Sequence, residues 1–290
     1  MKTVTLTTKL FISAILLFPA MARPQQQEDV VVAIIDTGID VNHPLLKDHL
    51  WTNPVGGLHG WNFSSNNSDI EDNHGHGTHI AGIILRKAPS KRIKFMVLKY
   101  YDPLKTGEDN LTASIEAIKY ATKMKADIIN YSGGGDLKSP LEEAAIRDAQ
   151  KQGIVFVAAA GNEGRNTDRV GYFPAGYRLS NIISVAATDS RQRLLASSNY
   201  GSESVDIAAP GKNVYSSLPG GKYGFMSGTS QATACVTGLV AALMVRTEKT
   251  LSPEDVKRVL VKAATKDRQL AKKIRSEARI SSLQASFFTN

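Results

Sequence analysis

Val30-Val31-Val32-Ala33-Ile34-Ile35-Asp36 is a continuous apolar, β-branched run that ends abruptly on a carboxylate. A strand apolar at every position is buried on both faces, the pattern of a parallel strand in an α/β sheet. Working outward, Ile93–Leu98, Asp127–Tyr131, Ile154–Ala159 and Ile182–Ala187 repeat it. Helical segments lie between and beyond these runs. Leu111–Lys125 is amphipathic, Ser139-Pro140-Leu141-Glu142 opens a helix with a capping box and a proline at its first position, and Ser252-Pro253-Glu254-Asp255 opens another by the same device. This alternation predicts an α/β fold, a three-layer α/β/α sandwich whose central sheet is mostly parallel and joined by right-handed crossovers. Ligand sites in such sheets gather at the carboxyl ends of the strands.

The 290 residues suffice for a large core, and apolar and charged fractions are ordinary for a globular protein. One cysteine, Cys235, excludes an intrachain disulfide and a cysteine-rich metal site. Lys2 and Lys9 precede the apolar run Leu10–Phe18, and Ala20-Met21-Ala22 offers an A-x-A cleavage site. That is the pattern of a signal peptide over residues 1–22, which predicts a secreted or periplasmic protein. Residues 23–290 are then expected to form one domain, with no stretch left for a pro-region and no transmembrane segment. Net charge is +8, and residues 246–280 carry eleven Lys/Arg against five Asp/Glu. The basic excess therefore sits in the C-terminal region, reads as a solvated helical face and is accompanied by no nucleic-acid motif. A monomer is expected.

The candidate chemistry falls at the strand ends. Asp36 closes the first strand. His76 sits in Asn73-His74-Gly75-His76-Gly77-Thr78-His79, before an apolar helical run, and Asn162 follows the fourth strand in Ala160-Gly161-Asn162-Glu163-Gly164. Ser230 lies in Gly228-Thr229-Ser230-Gln231-Ala232, just ahead of the apolar stretch Val236–Val245. A hydroxyl in the first turn of a buried helix points out of the scaffold, beside unpaired N–H groups at the positive end of the helix dipole. Serine becomes a nucleophile when a neutral imidazole takes its proton, and the imidazole needs a carboxylate to fix its tautomer. A side-chain amide can then donate to the oxyanion. One of each is present. As the simpler alternative, Ser230 would only cap a helix.

The four segments, in the order Asp, His, Asn, Ser, resemble those of the subtilisin-like serine proteases. The resemblance runs from about Val31 to about Val245 and includes Phe173-Pro174-Ala175 and Ala209-Pro210-Gly211. It implies an endopeptidase acting on proteins or peptides, with Asp36 orienting, His76 as base and acid, Ser230 as nucleophile and Asn162 as oxyanion donor. It also implies that Ser132, Gly133 and Gly134 pair with an extended substrate backbone. Gly133, Ala159 and Gly161 would wall a primary pocket roomy enough for a large apolar side chain, with Glu163 at the rim and the loop Arg165–Tyr172 closing it. Transfer of the acyl group to an amine, or a groove without chemistry, would use the same residues.

Other readings of nearby residues are structural. His74, His76 and His79 lack the helical pair with an intervening glutamate that a zinc site needs, so no metal is expected there. His79 is expected to be buried, His74 to line a subsite or simply to be exposed, and Asp40 and His43 to be structural. The resemblance also implies where a calcium ion would sit: many members of that family carry a tight calcium site on an asparagine-rich loop in the segment that here follows His79. Here Ala81-Gly82 passes through Ile83–Leu85 into Arg92 without that loop, and Leu45 replaces a calcium-binding aspartate. No cofactor is therefore expected, a weak calcium site near Ala175–Tyr177 aside.

Overall fold

The computed structural model describes residues 28–281, so the signal peptide expected at residues 1–22 lies outside the described residues. The long apolar run forms β1 (Val30–Asp36), in the interior of a nine-stranded sheet. Beyond it on one side lie β3 (Ile93–Lys99) and then β2 (Gly60–Asn62); on the other lie β4 (Ile128–Tyr131), β5 (Val155–Ala159), β6 (Ile182–Thr188) and β7 (Ile207–Pro210), all parallel. Two short strands, β11 (Ala278–Arg279) and the antiparallel β10 (Thr265–Lys266), finish that edge. A separate antiparallel hairpin joins β8 (Val214–Leu218) to β9 (Lys222–Met226).

Helices cover both faces. Val30, Val32 and Ile34 pack toward α1 (His76–Lys87) and α5 (Thr229–Arg246), where Val256 and Leu260 of α6 (Pro253–Ala263) also join the core. Ala33 and Ile35 point the other way, toward α2 (Gly107–Lys123) and α3 (Pro140–Lys151). The two-residue alternation of a pleated strand thus feeds two apolar cores from one continuous run. A single turn, α4 (Thr167–Val170), completes the helices. The three-layer α/β/α architecture is as the sequence predicts. The chain reaches β3 through α1 on one face, then recrosses β1 through α2 on the other to reach β4. Such a reversal opens a crevice at the carboxyl ends of the strands beside it. No helix among the described residues is long and apolar enough to cross a membrane.

α5 is buried from Thr229 to Met244, which explains why it is apolar all round and carries no stripe. It passes α1 at close range. The Cβ of an alanine at Gly238 would stand 2.5 Å from Lys87 Cβ and 2.7 Å from the Ile84 carbonyl oxygen. Only glycine lets these backbones approach so closely.

Element boundaries differ from the expected ones where the signal is polar. α2 begins at Gly107, four positions before the apolar pattern starts, because Thr106 and Asp109 form a reciprocal capping box. At α3 only half of the expected box forms. Ser139 accepts from the Glu142 N–H, but the Glu142 carboxyl turns inward and lies 2.8 Å from the Tyr177 hydroxyl.

That hydroxyl also accepts from the Ser139 N–H (3.0 Å) and lies 2.9 Å from the Ser139 carbonyl oxygen. One hydroxyl proton cannot serve two acceptors, whereas a protonated Glu142 satisfies all three contacts. Burial pushes the Glu142 carboxyl up to about 7 from the ordinary 4.5, against the lowering effect of the Tyr177 hydrogen bond. Because the folded-state value is raised, folding favours the neutral acid. That contribution is complete below pH 4.5 and is lost as pH rises toward 7. Glu142→Gln, which keeps a donor toward Tyr177, is expected to abolish this decline, worth up to about 3 kcal/mol. Urea titrations of both proteins at pH 5 and pH 8 check this; an unchanged decline in the variant would place its origin elsewhere.

Candidate active site

Asp36 ends β1 at the crevice and is nearly buried. His76 is the first residue of α1, and its Nδ1 lies 2.7 Å from Asp36 Oδ1. A carboxylate only accepts, so Nδ1 carries the proton and Nε2 is left as the basic nitrogen. Burial lowers the affinity of this imidazole for a second proton. The charge and hydrogen bond of Asp36 more than offset it, and the net shift is upward, with a smaller contribution from Asp72.

Asp72 is a functional residue that the sequence did not single out. It is buried and accepts from the N–H groups of His74, Gly75 and Thr78 and from the hydroxyls of Thr37 and Thr78, at 2.6–3.0 Å. Thr37 Oγ1 in turn accepts from the Gly77 N–H. One buried carboxylate thereby satisfies the open start of α1 and ties it to the turn after Asp36. An aspartate four residues before a helical histidine is the available signal.

Ser230 occupies the first turn of α5 and is almost buried. Its Oγ donates to the Ser132 carbonyl oxygen at 2.8 Å, and Ser132 Oγ donates back to the Ser230 carbonyl oxygen at 3.2 Å. Behind this pair Asn130 Nδ2 donates to Ser132 Oγ, and Thr237 Oγ1 donates to Asn130 Oδ1. This chain fixes α5 against the end of β4. In the resting arrangement the Ser230 hydroxyl therefore points to Ser132, and rotation about its χ1 is what would offer it to the base.

Asn162 is exposed at the end of β5, and its Oδ1 accepts from the Thr229 N–H (2.9 Å) and Thr229 Oγ1 (3.2 Å). Thr229 Oγ1 itself accepts from the Gly161 N–H. With Oδ1 held this way, the Asn162 amide nitrogen is turned outward as a donor. Asn162 is thus hydrogen-bonded to Thr229, the residue that precedes Ser230 in the first turn of α5.

Asp36, His74, His76, Ser132, Gly133 and Gly134 line one cleft of about 280 Å³, together with Thr37, Tyr100, Tyr101 and Tyr172. His74 is exposed and lies in the lining of this cleft. His79 is fully buried, its Nε2 3.3 Å from the Gly224 carbonyl oxygen, and burial holds its pKa down. Asp40 accepts from the Gly220 N–H, and His43 Nε2 lies 3.3 Å from the Lys222 carbonyl oxygen, so both pin the β8–β9 hairpin. No group of three or more potential metal-ligating side chains gathers among the described residues.

Ala159 and Gly161 are buried and do not line the cleft, and the Tyr172 ring stands against Gly161. Glu163, expected at the rim, accepts from Asn199 Nδ2 at 2.6 Å. The sequence could not supply this, because the loop that carries Tyr172 contains few residues with a fixed local preference.

The model of the subtilase family matches residues 27–279. A thermophilic serine proteinase of Bacillus sp. (strain AK1) is 38% identical over 222 residues, 73% of this chain and 51% of the relative. The major intracellular serine protease of Bacillus subtilis (strain 168) is 34% identical over 232 residues, 77% of this chain and 70% of the relative. The crystal structure of a cold adapted subtilisin-like serine proteinase superposes with a TM-score of 0.76 at 26% identity, covering 88% of this chain and 89% of that one. The chain thus spans about half the length of the first relative and over two thirds of the second.

Proposed function

The chain belongs to the subtilase family, and from that premise we propose that it is a serine endopeptidase working through an acyl-enzyme on Ser230. The observation that carries this reading is the Asp36–His76 pair at 2.7 Å on the cleft that Ser132 shares, with Ser230 bonded both ways to Ser132. His76 Nε2 takes the Ser230 proton as Oγ attacks the scissile carbonyl carbon. Asp36 holds the resulting imidazolium, and the Asn162 amide with the Ser230 N–H receives the oxyanion. The same proton then passes to the leaving amine, and water repeats the cycle to release the acid. Ser132-Gly133-Gly134 offers its backbone edge to an extended peptide, which supports protein or peptide substrates. Covalent labelling with an organophosphonate serine reagent tests the reading: an adduct on the Ser230 peptide is expected, absent in Ser230→Ala. A wild-type protein that stays unlabelled would be a binding module and not an enzyme.

We also infer that this chain does without the family's tight calcium site. α1 runs unbroken from His76 to Lys87, and Leu45 presents no oxygen ligand. A tight site needs six to eight oxygens. At a thousandfold saturation such a site would add about 4 kcal/mol, on the order of 10 °C in melting temperature for a chain of this size. Ser230→Ala protein, which cannot digest itself, is expected to melt within about 2 °C in millimolar calcium and in chelator. A drop near the full amount on chelation would overturn this.

A further inference from the structure

Gly134 follows the end of β4 and Gly161 the end of β5, and a tyrosine from a third segment stands between them. A Cβ placed on Gly134 would lie 2.5 Å from Tyr172 Cε1, and one placed on Gly161 would lie 2.8 Å from Tyr172 Cε2. Those carbons are opposite edges of one ring. The ring therefore spans the gap between the two segments, and it is 8% exposed.

Its backbone is anchored to the same walls. Phe173 exchanges two hydrogen bonds with Gly135, at 2.7 and 2.9 Å, and the Tyr172 carbonyl oxygen accepts from the Gly176 N–H at 2.7 Å. Arg165 from the segment after β5 meets Asp136 from the segment after β4 at 2.6 Å. The ion pair links the two segments between which the ring stands. Burial raises the pKa of the Tyr172 phenol, and the nearby Glu163 and Asp136 carboxylates raise it further against a smaller effect of Arg165. The hydroxyl stays neutral beside these charges, so the ring is a fixed, uncharged filler.

We propose that Tyr172 occupies the primary substrate pocket and confines the residue before the scissile bond to a small side chain such as alanine, serine or glycine. This rests on the reading of Ser230 as the nucleophile. The small walls at Gly134 and Gly161 make room for the chain's own aromatic ring and not for that of a substrate. Filling a rigid slot excludes a benzyl group far more effectively than a missing contact would, since the ring and its anchors must move before a large side chain can enter.

Two kinds of reagent separate the questions. A small dialkyl fluorophosphonate, which needs no pocket, reports whether Ser230 is reactive. Peptidyl phosphonates differing only in an alanine-like or a phenylalanine-like side chain report the pocket. The wild-type protein is expected to react at least about tenfold faster with the alanine-like probe. Tyr172→Ala is expected to reverse the order by raising the rate with the phenylalanine-like probe. Equal or faster wild-type labelling by the phenylalanine-like probe overturns the proposal, whether or not the variant folds well. Failure of the small reagent itself would instead overturn the assignment of Ser230, and this proposal with it.

Discussion

Ser230→Ala and His76→Ala are each expected to lower kcat for peptide hydrolysis by about 10⁶-fold, the loss found when a subtilase is deprived of either group. Neither substitution should reinforce the other, because a nucleophile without its base and a base without its nucleophile leave the same residual activity. The double variant should thus match the singles. The wild-type protein should also lose activity as pH falls. His76 must be neutral to accept a proton, and Asp36 holds its pKa above the ordinary 6.5 despite the opposing effect of burial. The acidic limb of the kcat/KM profile is therefore expected to fall above pH 6.5, with full activity on its alkaline side. Steady-state kinetics on a short peptide substrate check all of this. Near-normal turnover in either single variant would remove these residues from the mechanism.

Asn162→Ala is expected to lower kcat by roughly 10²–10³-fold with little change in KM, the range found when a subtilase loses this donor. The reason lies in what holds the amide. Thr229 donates twice to Asn162 Oδ1, so the nitrogen is aimed before substrate arrives. A donor fixed in this way stabilises charge that exists only in the transition state. Asn162→Asp provides the sharper contrast, since it keeps the acceptor for Thr229 and replaces the donor with negative charge. A rise in KM at constant kcat would make Asn162 a ground-state binder.

The strands were legible because burial on both faces writes itself into a local run, as in Val30–Ile35; of the candidate site residues, Asp36 and Asn162 stand at or just after such runs, and His76 and Ser230 stand ahead of apolar helical stretches. The polar scaffolding was not. Asp72 serves Thr37 from 35 positions away, and Asn130 meets Thr237 across 107. Nothing in a window of ten residues distinguishes those side chains from ordinary strand or helix polar groups. The β8–β9 hairpin went unread although Gly220-Gly221 marks its turn, because its strands carry no clean alternation. Tyr172 marks a different limit. Gly133, Ala159 and Gly161 read as small walls that leave room, and whether space stays open depends on a loop whose path is set by long-range contacts.

The close passage of α1 and α5 at Gly238 has a bearing on how such an enzyme can change over generations. His76 begins one helix and Ser230 lies in the first turn of the other, so the two move as one body. On the proposed reading, the residues that would meet the substrate's side chains belong instead to the loops after β4 and β5 and the segment around Tyr172. Variation there, Asn162 apart, would alter what is cut without disturbing how it is cut, and the two traits could drift independently. Variation at the glycine contact does the reverse, spoiling every substrate alike. A mutational library confined to residues 133–137 and 165–173, which leaves Asn162 untouched, should accordingly be rich in altered preferences, while the helix contact is ground that tolerates almost nothing.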